Sequence, residues 1–462
     1  MALLKTVKKW LSPLANPTTL SLYHWSRAVW ANIRYGFPAR GMLVIGVTGT
    51  KGKTTTTHFV ASILEEAGFK VGMASTTTFK IGKEETANDT NMSVTAPLPL
   101  QRLIRQMRDA RCDALVIEVT SIALEQFRTW GIPFRFVGFT NLSHDHLDYH
   151  GTMEKYALAK LKLFQGRSVR AAVANAADPV SEMMLAKTTA KRRWAYQIGE
   201  PDHLTIATDH IWADKISTNP EGASFTLVSE HEEARVRLQM PGKFNIENAL
   251  CAAALALNLN LKVGTVVAGL QKLERVPGRL EKIPSRKGFS VMVDYAHTPD
   301  SLEKLYSTLR PDVRGRMIAV LGATGDRDRT KRPIMGALAA RFNDFVFITD
   351  EEPYTEDPLE IIEEVSKGVP RGRALFRAPS SSIRREERPL LKKQSESGEG
   401  DWWWKVPDRK EAIEAAINMA KMDDLILVTG MGAQNFRKVG DEKQPWNDRA
   451  IIEDILKEKN LL

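Results

Sequence analysis

The stretch Met42-Leu43-Val44-Ile45-Gly46-Val47-Thr48-Gly49-Thr50-Lys51-Gly52-Lys53-Thr54-Thr55 decides how the chain is read. Its first half, Met42 to Val47, is a short apolar run of the kind that forms a strand covered on both faces in a parallel sheet. Its second half, Thr48 to Thr55, holds two glycines, two lysines and four threonines. The spacing after it predicts an amphipathic helix over His58 to Ala67. Glycines let backbone N–H groups approach a phosphate closely, and a helix N-terminus adds partial positive charge. Lys53 can then neutralise phosphate oxygens, and the Thr54 hydroxyl can hold Mg²⁺. Strand, loop and helix together predict a phosphate loop for a nucleoside triphosphate, with Gly49, Thr50, Lys51, Gly52, Lys53, Thr54 and Thr55 as its cradle. Compared with the commonest G-x-x-x-x-G-K-[ST] form, one extra residue stands between Gly46 and Gly52, which points to a subset of such loops.

Outward from this loop, short β-rich runs alternate with helical stretches, the pattern of βαβ units. The runs are Ala114 to Ile117, Phe134 to Phe139 and Ala171 to Ala174, followed by Val291 to Val293, Met317 to Leu321, Phe345 to Ile348 and Leu425 to Val428. Between Ile211 and Gln239, short apolar segments around Asn219-Pro220-Glu221-Gly222 predict a small antiparallel insertion. The expected fold class is α/β: a phosphate-loop central domain with a mostly parallel sheet, a Rossmann-like C-terminal α/β domain, and a short helical N-terminal segment. The expected divisions are 1–40, 41–282 and 283–462, with the join near Val276-Pro277-Gly278. The nearly neutral stretch 379–405 is expected as a surface insertion whose Trp402, Trp403 and Trp404 hint at a contact surface.

With 462 residues, 43% hydrophobic and 26% charged, the composition excludes a disordered chain and a bundle of membrane spans. Two cysteines, Cys112 and Cys251, make neither a disulfide framework nor a thiolate zinc site, so a reducing, cytoplasmic compartment is expected. No signal peptide is evident. Of the net charge of +9, six units come from Lys5, Lys8, Lys9, Arg27, Arg34 and Arg40, and residues 1–40 contain no acid. Charge placed so unevenly argues against nucleic acid as a partner. At about 100° per residue, Leu3, Leu4, Val7, Trp10, Leu11 and Leu14 share one helix face, and Leu22, Trp25, Val29 and Ile33 share another after Pro13 and Pro17. Packing of this helical pair on the next domain is the simpler reading, and peripheral contact with an anionic membrane is the sharper one.

Further chemistry-bearing residues stand at strand ends. Glu118 follows Ala114-Leu115-Val116-Ile117, where ligands of open α/β sheets bind, and its carboxylate suits Mg²⁺. His144, Asp145, His146, Asp148 and His150 crowd the loop after Phe139. Without thiolates, one magnesium-binding histidine with hydrogen bonding by the others is a better reading than zinc. Asp294-Tyr295-Ala296-His297 and Gly325-Asp326-Arg327-Asp328-Arg329 also follow apolar strands and suit nucleoside and carboxylate recognition.

Taken in order, these motifs resemble the ATP-dependent Mur ligases of the MurE type, which add a diamino acid to a UDP-N-acetylmuramoyl dipeptide in peptidoglycan synthesis. The resemblance runs from about residue 42 to 456. Besides the phosphate loop it includes Glu118-Val119-Thr120-Ser121, Asn141 to Met153, Ala159-Lys160, Pro241 to Asn248, Val276 to Arg279, Asp294 to Asp300 and Pro445 to Arg449. It implies that Lys53 and Thr54 hold ATP phosphates and Mg²⁺, and that Glu118, His146 and a carbamylated Lys160 are metal ligands. It further implies that Asn248, Arg279 and Asp294 contact the nucleotide, that Lys53, Lys160 and His146 form the catalytic set, and that substrate is met at Thr95, Thr120, Ser121, Arg128, Asp350 and Glu351. The implied partners are a muramoyl peptide and a diamino acid, and the expected state is a monomer.

Three departures stand out. The usual N-terminal domain for the uridine nucleotide is replaced by the basic segment 1–40, which leaves a lipid-linked muropeptide open as substrate. Tyr354 stands where diaminopimelate-selecting members carry the arginine of Asp-Asn-Pro-Arg, and Gly430-Met431-Gly432-Ala433-Gln434 replaces Gly-Lys-Gly-His-Glu. Glu351, Glu352 and Glu356 would suit a second ammonium, so lysine, ornithine and diaminopimelate all stay open. A folylpolyglutamate synthase-like enzyme and a non-catalytic nucleotide-binding membrane scaffold are the competing readings.

Overall fold

The computed structural model describes residues 17–90, 92–200, 206–219, 221–230, 232–370 and 402–462. The chain forms two compact units, 1–216 with 224–238 and 244–273, and 217–223 with 239–243 and 274–462. The Leu3 to Leu14 stripe lies outside the described residues.

The first unit is built on one sheet: β1 (Leu43–Thr48), β2 (Val71–Ala74), β3 (Thr78–Ile81), β4 (Glu84–Ala87), β5 (Ala114–Glu118), β6 (Phe136–Phe139), β7 (Ala171–Asn175), β8 (Arg192–Ile198), β9 (Asp209–Asn219), β10 (Gly222–Ser229) and β11 (Glu233–Leu238). Their order is β11-β10-β9-β8-β7-β6-β1-β5-β2-β3-β4. Strand β1 lies between β5 and β6, parallel to both, with Val47 opposite Glu118 and Thr48 opposite Phe139. The carboxyl ends of three strands are therefore level, and the loops leaving them share one sheet edge. The strands from 209 to 238 were expected as a small antiparallel insertion; they continue this same sheet. The alternating short apolar segments pointed to a small antiparallel insertion, yet β9 pairs in parallel with β8.

The helix after the phosphate loop, Lys53–Glu66, is buried continuously from Thr54 to Leu64 rather than along one stripe. It is enclosed because the helix Val263–Lys272 covers the side turned away from the sheet. At Gly269 an added Cβ would come within 2.4 Å of the Ile63 Cα, so the two helices cross at near-backbone contact. In the helix Pro17–Tyr35, Ala28, Ala31 and Asn32 are the buried positions, whereas Leu22 and Ile33 are 62% and 64% exposed. The expected packing of the Leu22, Trp25, Val29 and Ile33 stripe on the protein is thereby corrected: small residues make the close contact with the protein.

The second unit has a sheet of β12 (Glu281–Pro284), β13 (Ser290–Asp294), β14 (Met317–Leu321), β15 (Phe345–Ile348), β16 (Trp403–Lys405) and β17 (Leu425–Thr429), ordered β12-β13-β17-β14-β15-β16. Its pairings are parallel except β12 with β13. The hairpin β18 (Phe436–Val439) and β19 (Glu442–Pro445) stands apart. Trp402, Trp403 and Trp404 are all buried, and Trp404 stacks on Phe347 at 5.0 Å, so the expected tryptophan contact surface is a core edge strand instead. The polar residues preceding it disguised that strand.

Arg409 and Asp448 are both fully buried, joined by Nε to Oδ1 at 2.9 Å and Nη2 to Oδ2 at 2.7 Å. Arg409 also donates to the Thr429 carbonyl, and Trp446 Nε1 donates to Asp448. Removing one member strands a buried charge. Arg409→Met is expected to cost the second unit about 3–5 kcal/mol, seen as faster hydrogen exchange of the β17 amides. Arg409→Met/Asp448→Leu should recover part of that loss.

Candidate active site

The phosphate loop is shaped by two glycines in the left-handed half of backbone space. Gly52 has φ 81°, and a Cβ there would lie 2.1 Å from the Asn248 Oδ1; a Cβ on Gly49 would lie 1.9 Å from the Thr140 Oγ1. Thr50 N–H donates to the Asn141 carbonyl at 2.8 Å, and Lys51 N–H donates to the Asn141 Oδ1 at 3.0 Å. The Lys51 carbonyl in turn accepts from Thr140 Oγ1 at 2.6 Å. The loop after β6 thus holds the phosphate loop from outside, a role for Asn141 beyond its place in the quoted motif and for Thr140 just before that motif. Lys53 Nζ donates to the Thr50 carbonyl at 2.7 Å. Thr55 is buried on the helix behind.

Glu118, at the end of β5, is 2% exposed and closely bound. Its Oε2 accepts from Thr54 Oγ1 (2.8 Å), Thr76 N (2.9 Å) and Thr76 Oγ1 (2.8 Å), and its Oε1 accepts from Ser93 Oγ (3.0 Å), with Lys53 Nζ at 3.9 Å. Thr76 and Ser93 escaped the sequence reading because each stands in a loop without a spaced motif. Lys160 is buried, donates from Nζ to the Gly49 carbonyl at 2.6 Å, and lies 4.4 Å from the centre of the Tyr156 ring. Burial first, and the Lys53 charge second, hold its pKa well below the usual lysine range, against the pull of Asp145 and Glu118. Tyr156, one turn before Lys160 on the same helix face, bonds to the Thr50 hydroxyl at 3.2 Å and stacks on His150 at 4.9 Å. Spacing from Lys160 was the signal that could have found it.

His146 sits at φ 52°, half exposed, 3.7 Å from the Asp145 carboxylate and edge-on to Tyr156 at 6.3 Å. His150 is buried against the Ser121 hydroxyl at 2.9 Å, while Thr120 caps the turn Ser121–Glu125 through Ala123 N–H. Arg128 donates to the Val94 carbonyl at 2.8 Å, next to buried Thr95 and one residue from the Ser93 that meets Glu118. Asn248 reaches Gly52, so it joins the phosphate loop within the first unit.

Arg279 and Asp294 belong to the second unit. Asp294 accepts from Leu280 N–H and Ala296 N–H at 2.9 and 2.8 Å, and the Arg279 guanidinium lies 4.8 Å from the centre of the Tyr295 ring. Asp350 pairs with Arg437 at 3.1 Å. Glu351 accepts from Thr324 Oγ1 at 2.8 Å, but its buried Oε2 has no hydrogen-bond partner among the described residues. Burial pushes the Glu351 carboxyl up to about 7, against Arg409, Thr324 and Lys331. Glu356 is the opposite case: hydrogen bonds from Arg332 bring it down to about 2, and Asp326 N–H and Arg329 add to the effect. Its expected availability to a substrate ammonium is corrected, because arginines already occupy it. Tyr354 holds φ 51° between Arg327 and Lys438, at 5.6 and 5.1 Å from its ring centre.

A glycine-shaped loop at the carboxyl edge of a parallel sheet, backed by a threonine–carboxylate pair, defines a phosphate-loop α/β enzyme with a nucleotide site. Residues 47–256 match the Mur ligase middle domain and residues 278–432 the Mur ligase glutamate ligase domain. The chain belongs to the Mur ligase family of ATP-dependent enzymes that form amide bonds. It is 35% identical over 441 residues to a UDP-N-acetylmuramoyl-L-alanyl-D-glutamate–2,6-diaminopimelate ligase of Geobacillus thermodenitrificans, covering 94% of this chain and 82% of that protein. The enzyme of the same name from Bacillus cereus is 36% identical, covering 93% and 81%. A solved structure of such a ligase aligns with TM-score 0.61 and 28% identity over 91% of this chain and 79% of its own. Mycobacterium tuberculosis folylpolyglutamate synthase with ADP shares the fold, at TM-score 0.67 and 18% identity over 93% and 96%.

Between the ordinary carboxylate range and about pH 7, folded Glu351 keeps a proton that the unfolded chain releases. The folded state then binds more protons, so Glu351 makes stability fall as pH rises through that window, by up to about 3 kcal/mol. Glu351→Gln removes this slope. Its melting temperature relative to the parent should therefore rise from pH 5 to pH 8, and a constant difference would count against the raised pKa.

Proposed function

We propose that the protein joins a diamino acid to the D-glutamate carboxylate of UDP-N-acetylmuramoyl-L-alanyl-D-glutamate, acting as a monomer in the cytoplasm. The observation that carries this reading is the shared sheet edge where Lys53, Thr54, Glu118 and Lys160 gather around one loop. It is supported by relatives at 34–36% identity that are named for this reaction. A carboxylate is a poor electrophile toward an amine. Transfer of the ATP γ-phosphoryl group turns it into an acyl phosphate, and attack by the amine then releases phosphate and leaves the amide. Lys53 neutralises charge on the transferring group, and the loop N–H groups hold the phosphates.

The donors at this edge fit Mg²⁺, a hard cation that takes few protein ligands and fills its shell with phosphate and water oxygens. Thr54 and Glu118 would hold it, and His146 and Lys160 complete the proposed set. When bound it neutralises charge as phosphoryl transfer proceeds. The role proposed for Lys160 is that of a carbamate, because a buried amine whose pKa is lowered beside Lys53 can react with carbon dioxide, releasing a proton, and then supply anionic oxygen. Asn248, Arg279 and Asp294 are proposed to contact the nucleotide, and Thr95, Thr120, Ser121, Arg128, Asp350 and Glu351 the substrates. For the amine we favour diaminopimelate over lysine: Arg327 and Lys438 bring two cations to Tyr354, which suits a distal carboxylate, and Glu356 is already engaged.

The test is phosphate release and product mass with ATP, Mg²⁺, the muramoyl dipeptide and a panel of diaminopimelate, lysine and ornithine. Folded protein that is silent with every amine would end the proposal. Lys53→Ala should lower turnover at least about a hundredfold with an unchanged circular dichroism spectrum. Lys160→Ala should lose activity that acetate or formate partly restores, and retention of full activity would remove the carbamate role.

A further inference from the structure

The side of the helix Pro17–Tyr35 that faces away from the protein carries four large apolar side chains, with only Thr19 and Ser26 as polar residues among them. Ala28, Ala31 and Asn32 are buried, and Asn32 Nδ2 fixes that side by donating to the Ala28 and Trp130 carbonyls at 2.9 and 2.7 Å. The contact is close, since a Cβ on Gly131 would lie 2.5 Å from the Asn32 Oδ1. Taken at about 100° per residue, Leu22, Tyr23, Trp30 and Ile33 fall in an arc of about 100° centred opposite these three positions. They are 62%, 50%, 57% and 64% exposed. Six of the thirteen exposed large apolar side chains among the described residues are on this one helix. An ordinary surface helix would turn such residues inward and charge outward.

Charge identifies what fits this face. Arg27 and Arg34 border the apolar arc, and both side chains are exposed. The first forty residues carry six basic residues and no acidic one. The helix Pro97–Asp109, which packs against this one, adds Arg102, Arg105 and Arg108 against a single acid, Asp109. A second copy docked here would set these cations against one another with no acid in the segment to relieve them. Anionic lipid headgroups meet the cations, while tryptophan and tyrosine suit the boundary between headgroups and acyl chains. Among the described residues no helix is long and apolar enough to cross a membrane, so the helix would lie in the plane of the surface.

We infer that the helix Pro17–Tyr35 seats the protein on an anionic membrane surface, with Leu22, Trp30 and Ile33 entering the headgroup boundary and Arg27 and Arg34 pairing with lipid phosphates. The inference is independent of the amino acid ligated. Flotation of the full chain with vesicles tests it. Vesicles of phosphatidylcholine with phosphatidylglycerol should carry the protein upward in a salt-sensitive way, and phosphatidylcholine alone should not. Trp30→Glu/Ile33→Glu and, separately, Arg27→Glu/Arg34→Glu should each lower the bound fraction at least about tenfold. Phosphate release in free solution should stay unchanged in both. Should the first pair of changes fail to fold, the arginine pair decides alone. A full chain that stays down with anionic vesicles, as it would if residues 1–16 cover the face, overturns the inference. Undiminished flotation of the variants does the same, as does a dimer in sedimentation velocity that Ile33→Glu splits.

Discussion

The first unit turns on the carboxylate of Glu118. It ends β5 level with the last residues of β1, so it meets the Thr54 hydroxyl that opens the following helix, and it is held by Thr76 and Ser93 from the opposite side. Five polar groups drawn from three separate stretches of chain therefore converge on two oxygen atoms. A buried carboxylate is tolerated only where it is bonded in this way. Moving the register of β5 against β1 by one residue would turn Glu118 to the other face of the sheet and leave the apolar stretch Leu115 to Ile117 misplaced. Strand pairing and site chemistry are thus secured by the same hydrogen bonds.

Lys160 extends this logic. Its Nζ is buried between the Gly49 carbonyl and the Tyr156 ring, close enough to Lys53 to feel its charge. Two cations so placed repel, and burial together with the Lys53 charge lowers the Lys160 pKa well below the usual lysine range. Tyr156 matters for this reason: its ring closes the pocket while its hydroxyl reaches Thr50 in the phosphate loop.

Much of this was legible in the sequence, for physical reasons that can be named. The strand, loop and helix around Lys53 follow from a buried-type apolar run and glycines that no residue with a Cβ could replace. The ends of β5 and β6 follow from acids and histidines placed just after apolar runs. What was not legible depends on neighbours far along the chain. Helix Lys53–Glu66 looked amphipathic because its threonines and His58 are polar, yet Glu118, Asn248, Ser75 and Thr77 meet Thr54, Thr56 and His58, and the helix Val263–Lys272 packs on Ser62 and Ile63. Trp402 to Trp404 looked like a surface feature because the preceding stretch is polar, yet they complete a sheet edge through pairing with β15. The helix Pro17–Tyr35 was read as burying its large residues, yet its alanines make the contact.

The acids after β15 show the same dependence most sharply. Glu351, Glu352 and Glu356 are indistinguishable in sequence, and any of them could be assigned to a substrate ammonium. In the folded unit they separate by environment. Arg332 and Arg329 reach Glu356 from the helix Lys331–Phe342 and its N-terminal edge, so that carboxylate is satisfied and stays ionised. Glu351 lies under Gly430, where a side chain would strike its Oε2, and that oxygen is buried without a partner among the described residues. A group in that position gains most from a hydrogen bond supplied by something outside the chain. Of the three acids, Glu351 is thus the one with a buried oxygen lacking a hydrogen-bond partner among the described residues, whereas arginines already occupy Glu356.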